Sequence, residues 1–314
     1  MPLWAVHISD GVLSVPFWAA GWLVAAMLLA WGCRRVTEEE IPRVALVTAA
    51  FFVASTIHVK VPPSTVHLLL NGLAGILVGR RAVLAIFVGL GLQAILLGHG
   101  GFYVLGVNTC VMALPALLAW LAFGRLHAMV RRGPLLASLL LAGSCAALVL
   151  AGAFSIAMIR IGLPLSASAD AIRAALLEAA AETLGPWTVA GAGLCAGAAV
   201  LLERRFRAAP DLAAGFALGS LTVLATGALG CLALFAGGAE IWEAAPWAMI
   251  VLHVPIAVIE GLIVGVSVSF LARVKPELLG LDRVEPARRP RETAVDATGV
   301  LVSAETAAEP AEVK

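Results

Sequence analysis

Long apolar runs, broken by short polar interruptions, fill most of the chain. Nine runs stand out, near residues 13–33, 43–58, 66–79, 82–98, 103–124, 134–159, 187–203, 211–238 and 246–272. A helix needs about 20 apolar residues to cross a bilayer. The pattern therefore predicts an all-α polytopic membrane protein with about seven to nine transmembrane helices. Nine is the direct count, and seven holds if the shortest segments are re-entrant or merely buried. Residues 165–186, LSASADAIRAALLEAAAETLGP, read instead as an amphipathic external helix lying at the interface. From Pro276 the chain turns charged, Pro- and Ala-rich and poor in aromatics. The expected organisation is one transmembrane domain, 1–275, and a disordered cytoplasmic tail, 276–314.

The basic residues orient the bundle. Arg34, Arg35 and Arg43 fall in the first loop, Arg80 and Arg81 in the third, and Arg125, Arg131 and Arg132 in the fifth. Arg204, Arg205 and Arg207 fall in the seventh, and Arg273 and Lys275 follow the last run. The alternate loops hold only Lys60, Arg160 and Arg173. The positive-inside rule then places the N-terminus outside and the C-terminus in the cytoplasm. No Lys or Arg precedes the first run, so the start does not read as a cleavable signal peptide.

The run 66–79, VHLLLNGLAGILVG, is short. At ~1.5 Å per residue it covers about 21 Å, less than the ~30 Å hydrocarbon core. It also carries Gly72, Gly75 and Gly79. Two readings stand side by side: a broken segment lining a substrate site, or close helix packing through small residues.

Composition narrows the function. The chain has 314 residues, 61% of them hydrophobic and 13% charged, with a mean hydropathy of +0.99. Its formal net charge of +1 gives no sign of nucleic-acid binding. Cys33, Cys110, Cys145, Cys195 and Cys231 sit singly, with no C-x-x-C pair, and read as small buried hydrophobes. No G-x-x-x-x-G-K-[ST] loop for ATP and no H-E-x-x-H zinc motif is present.

Polar chemistry is concentrated at the outer side. On the expected topology His7, His58, His67, His99 and His253 all lie toward the outer face, and only His127 is cytoplasmic. Neutral imidazole is a common ligand for nickel, cobalt, copper and zinc. Glu260 lies mid-membrane, seven residues and two helical turns after His253 on one face. A buried carboxylate there is costly, at least ~2.5–3.5 kcal/mol by insertion scales. Its partner is a buried serine, an asparagine or a helix end, and its role reads as orienting another group.

Five blocks resemble one family. They are HISDG at 7–11, PPSTVHLLLNGLAG at 62–75, LQAILLGHGG at 92–101, LGVNTCVMALP at 105–115 and HVPIAVIEGLIVG at 253–265. Together they resemble the CbiM/NikM family, the metal-specificity membrane subunits of energy-coupling-factor transporters for cobalt and nickel. The resemblance covers roughly 7–123 and 211–279, and 134–203 matches less clearly. It implies a bacterial or archaeal plasma-membrane transport subunit, not an enzyme, with Co²⁺ or Ni²⁺ as cargo and no permanent cofactor. It implies as partners a transmembrane coupling subunit, cytoplasmic ABC ATPases and a small accessory membrane subunit, all in the lipid bilayer or at its surface.

The resemblance also implies a site. In the family the chain starts Met-His, and a planar four-nitrogen set forms from the terminal amine, the next histidine's amide and imidazole, and a second histidine. Carried over by motif, those histidines are His7 and His67. A nitrogen-only planar set suits nickel and cobalt, not calcium or magnesium. Gln93, His99 and Asn108 occupy the surrounding motif positions and are expected to hold the ligands, with Asp10, His58, His253 and Glu260 as further candidates.

This chain departs from the pattern twice. Val111 stands where the family often has a second asparagine. His7 follows MPLWAV rather than one Met, so the Met1 amine cannot close the tight chelate ring with the His7 amide. Either translation starts at a GTG codon at Val6, giving Met-His-Ile-Ser-Asp, or the extension is genuine and His58 or His99 replaces the amine. Cobalt, and with it cobalamin supply, is preferred over nickel on the AVIEGLIVG and VKPELLG blocks. The competing classes are a vitamin-specific subunit, which predicts an aromatic-lined pocket, and an intramembrane enzyme built on His253 and Glu260, which lacks a nucleophile.

Overall fold

The structure, a computed structural model, describes residues 7–61, 64–162, 167–206, 210–238 and 245–281, together with 293–295 and 301–303. The elements in chain order are α1 (Val15–Cys33), α2 (Glu40–Ser55), β1 (His58–Val61), β2 (Ser64–His67), α3 (Asn71–Val78), α4 (Ala82–Leu92), α5 (Leu105–Val130) and α6 (Pro134–Ile161). They continue with α7 (Ala169–Thr183), α8 (Pro186–Phe206), α9 (Pro210–Gly237), α10 (Ala245–Val274), β3 (Thr293–Val295) and β4 (Leu301–Ser303).

Every apolar run contributes a helix, so this is an all-α multi-pass membrane protein. Among the described residues, six helical stretches are long and apolar enough to cross a membrane, one of them α3 and α4 taken together, or up to seven if α7 and α8, bent by 59°, make one span. Seven is the lower end of the expected seven to nine, and six falls below it. Exposed apolar side chains along the spans, such as Leu23, Met27, Leu118, Val266 and Phe270, suit a lipid surround.

The region after α2 departs from the helix-only expectation. His67 does not open a helix. β1 and β2 pair antiparallel, with His58 opposite His67 and Val59 opposite Val66. The cause is local: Val59, Val61, Thr65 and Val66 are β-branched and favour a pleated strand. The helix begins only at Asn71 and runs eight residues, about 12 Å. Its start is paired in level with mid-α5, since Asn71 Nδ2 donates to the Met112 carbonyl at 3.1 Å. At Gly79, with φ +56, the chain reverses through a 3-10 turn over Gly79–Arg81, and α4 climbs back. The segment 66–79 is broken, as one reading requires, and its glycines pack closely, as the other requires. Gly72 faces Thr222, Gly75 lies directly on the Ala116 backbone, and Gly79 meets Trp120.

The inner end gathers the arginines. Arg81, 4% exposed, donates to the carbonyls of Gly32, Arg34 and Arg35 and to Glu40. It ties the α3–α4 turn to the C-terminus of α1, as cations favour helix C-termini. His127, the one histidine expected there, meets Asp211 at 2.8 Å beside Arg131.

α7 is amphipathic as its sequence suggests. Ser168 caps it by accepting from the Ala171 N–H at 3.2 Å, and Ala175, Ala179 and Thr183 form its buried face. The stretch assigned to a disordered tail begins with order: Pro276–Leu279 form a 3-10 turn, with Leu279 buried against the inner ends of α3, α5 and α10. Beyond 281 only the pairing of β3 with β4 is described, and the rest of the tail lies outside the described residues.

Candidate metal centre

The opening HISDG is a strap folded back on the bundle. The Val12 N–H reaches the Ser9 carbonyl at 3.3 Å, and Gly11 supplies φ +84, a value that suits glycine. The Ser14 N–H then donates to the Gly237 carbonyl at 2.8 Å, joining the strap to the end of α9. Ile8 and Leu13 are buried beside Val104 and Val107. This burial pulls the strap inward and carries His7 with it.

Two polar side chains, Asp10 of the strap and Asn108 of α5, fix the strap. Asp10 accepts from the Phe102 N–H at 2.9 Å and the Val104 N–H at 3.1 Å. Its carboxylate thereby satisfies amides at the start of α5, where the helix end favours an anion. Asn108, in the first turn of α5, grips Ile8 at both ends of its backbone. Its Oδ1 accepts from the Ile8 N–H at 3.2 Å, and its Nδ2 donates to the Ile8 carbonyl at 2.9 Å. Gly100, with φ +73, leaves room for Asn108 and His7 to come together.

Gln93 closes the site from α4. There the helix widens into a π-helical turn, Gln93–Leu97, ending on Gly98 at φ +64, a local device found often at functional sites. Gln93 Oε1 lies 2.8 Å from His7 Nε2. With the amide oxygen facing the ring, Nε2 carries the proton and Nδ1 keeps its lone pair on the side of the His7 backbone amide. The His7 imidazole is 5% exposed. Burial, reinforced by His67, His99 and His253 nearby, holds its pKa well below the ordinary 6.5 against the raising effect of Gln93.

His67 meets His7 across the site, with ring centroids 4.8 Å apart. Its Nδ1 sits 2.9 Å from the Leu68 carbonyl. A proton on Nδ1 leaves the ring's lone pair on Nε2. The His99 ring stacks on His67 at 5.7 Å with planes 2° apart. His253 is buried on α10, its Nδ1 2.5 Å from the Met249 carbonyl and its ring against Gly227.

Glu260 finds its partner in a helix end, one of the alternatives open from sequence. It is wholly buried and accepts from the Leu69 N–H and, at 2.9 Å, the Leu70 N–H, just ahead of α3. His58 lies opposite His67 in the hairpin, and its side chain is outside the described residues, as are residues 1–6. Val111 packs against the Ile8–Leu13 cluster. Among the described residues, no three His, Cys, Asp or Glu side chains are arranged to hold one ion.

Asn71 escaped the sequence reading. Its side chain is fully buried, donates to Met112 and Thr226 and accepts from the Gly72 N–H at 3.1 Å. The signal was available: asparagine before an apolar helical run is a common start signal.

Three comparisons bear on this geometry. The sequence model of a family described as the cobalt uptake substrate-specific transmembrane region, CbiM, matches residues 7–190 and 183–278. A putative metal transport protein of Haemophilus influenzae is 49% identical over 118 residues, 38% of this chain and 57% of that protein. A cobalt transport protein CbiM of Geobacter sulfurreducens is 38% identical over 133 residues, 39% of this chain and 38% of that protein. The chain thus spans 57% and 38% of the length of these two curated relatives. A crystal structure of a transition metal transporter superposes with a TM-score of 0.52 at 16% identity, covering 88% of this chain and 96% of that one. At that identity the likeness speaks for the fold.

Proposed function

The chain belongs to the CbiM family, the cobalt uptake substrate-specific transmembrane regions, and we propose from this that it captures Co²⁺ for uptake across the cell membrane. One observation carries the reading at the atomic level: His7 is buried and oriented by Gln93 beside His67, with their rings 4.8 Å apart. The ligand set is His7 Nδ1, the deprotonated His7 amide nitrogen and His67 Nε2. Amide nitrogen and Nδ1 of one histidine close a six-membered chelate ring on the metal. Asn108 and Asp10 hold the strap that presents this ring.

The fourth nitrogen depends on the start of translation. With Val6 read as the initiating methionine, its amine completes a planar set. With the extension present, the His99 or His58 imidazole takes that place, and the geometry leaves the plane. Nickel accepts the same nitrogen donors, and uptake of nickel is the alternative. Release inward needs work that a coupling membrane subunit, with a small accessory membrane subunit, and cytoplasmic ATPases supply. Cobalamin synthesis is the use we assign to the cobalt.

The experiment is metal titration of the full chain in lipid nanodiscs, together with the mass of its N-terminal peptide from native membranes. The expected result is one Co²⁺ or Ni²⁺ per chain, no binding of Ca²⁺ or Mg²⁺, and a peptide beginning Met-His-Ile-Ser-Asp. A chain that takes up neither Co²⁺ nor Ni²⁺ overturns the reading. A peptide beginning at Met1 or Pro2 removes the amine and directs attention to His99 and His58.

A further inference from the structure

α3 is the half-length helix that follows His67, gripped at its outer end by α10 and at its inner end by the turn that follows α10. At the outer end Glu260 accepts from the Leu69 N–H and, through both carboxylate oxygens at 2.9 Å, from the Leu70 N–H. These are the last amides before α3, two and three residues beyond His67. Leu70 is held at φ +50, a left-handed conformation that a leucine rarely adopts. A carboxylate at the positive end of a helix, with charge-assisted bonds to backbone N–H groups, holds such a conformation in place.

At the inner end the chain beyond α10 turns under α3. Leu279 is buried beside Ile76 of α3, and the Arg43 side chain donates to the Leu278 carbonyl. α10 itself is fixed. Gly215 and Gly265 bring the α9 and α10 backbones together, and Ser220 Oγ donates to the Ala257 carbonyl at 2.9 Å.

We infer that Glu260 is the positioning residue of the metal centre: by clasping Leu69 and Leu70 it sets where His67 stands, and so how tightly the centre holds its metal. The inference rests on the proposed His7–His67 site. Glu260 touches neither histidine and acts through the backbone. α3 cannot tilt or slide while both grips hold. Opening the upper grip frees the His67 segment without disturbing the strap that carries His7.

The test uses the full chain in nanodiscs, as wild type and as Glu260→Gln. Gln keeps the shape and one acceptor but turns a second oxygen into a donor that faces the Leu70 N–H. In metal-free protein, hydrogen exchange of the peptide spanning 68–71 is expected to quicken in the variant, with α9 and the strap unchanged. Affinity for Co²⁺ is expected to fall about 10- to 100-fold, as for loss of a group that orients a ligand. The visible spectrum of bound Co²⁺ is expected to shift, which a merely structural role does not require. Normal affinity with an unchanged spectrum overturns the inference, and so does unchanged exchange at 68–71.

Where Glu260→Gln does not fold, the wild type alone decides. Coupling is reciprocal, so Co²⁺ is expected to slow exchange at Leu69 and Leu70, and equal exchange with and without metal overturns the clasp. Failure of wild type to bind Co²⁺ or Ni²⁺ is a different outcome: it removes the site itself. The metal-free exchange comparison still reports whether Glu260 holds the segment.

Discussion

At the residue scale, the centre depends on small polar groups that aim two imidazoles. Gln93 fixes the His7 proton, Asn108 fixes the Ile8 backbone, and the Leu68 carbonyl orients His67. Gln93→Leu keeps the volume and removes the acceptor, so the His7 ring loses its tautomer control. Metal affinity is expected to fall about 10- to 100-fold, measured by competition titration. His67→Ala removes a proposed ligand and is expected to cost more than that. Protons compete with metal for the same nitrogens. Because burial lowers the His7 pKa below 6.5, its imidazole is still neutral at pH 6.5. The His7 amide must still give up a proton to bind metal, so affinity is expected to weaken as pH falls, and more steeply once pH falls through the lowered imidazole value. A metal isotherm taken from pH 8 to 4 checks the sign, and loss already complete at pH 6.5 would contradict it.

At the element scale, interruption matters more than length. α3 is short because its N-terminal neighbours are a β-branched hairpin and its C-terminus is Gly79 at φ +56. Its start is held in the core by buried polar bonds: Asn71 is bonded to Met112 and Thr226, and Glu260 serves the preceding amides. Gly75 lies directly on the Ala116 backbone. Gly75→Val must therefore push α3 off α5, at an expected cost of about 1–3 kcal/mol, with metal affinity falling in parallel because His67 moves with α3. Thermal unfolding in detergent and a metal titration test both halves. Asp10→Ala strips the start of α5 of its acceptor and is expected to cost about 1 kcal/mol. That loss would appear in the same melt.

At the scale of the whole molecule, one end collects imidazoles and the other collects guanidinium groups. His7, His67, His99 and His253 cluster around the strap, while Arg43, Arg80, Arg81 and Arg131 mark the far end. α10 and its return under α3 join the two ends physically. Leu279→Asp places a charge in that buried seat. It is expected to dislodge the 276–281 turn, seen as faster hydrogen exchange there, and to raise the metal off-rate. If partner ATPases supply the work, as proposed, the chain reconstituted alone in liposomes is expected to bind cobalt without concentrating it.

Sequence by itself determined the class, the approximate spans, the sidedness of the charges and the identity of the histidines. Those follow from hydropathy period and from residue chemistry, which are local and additive. It did not determine that His67 ends a strand, that Leu70 is left-handed, or which of several groups Glu260 would serve. Those were decided by contacts between positions nearly two hundred residues apart, such as Leu70 with Glu260. A hydrogen-bond donor in a segment specifies that it needs an acceptor, not which one. Only packing α10 against α9 and α3 in three dimensions brings that carboxylate to those amides, and so sets His67 beside His7.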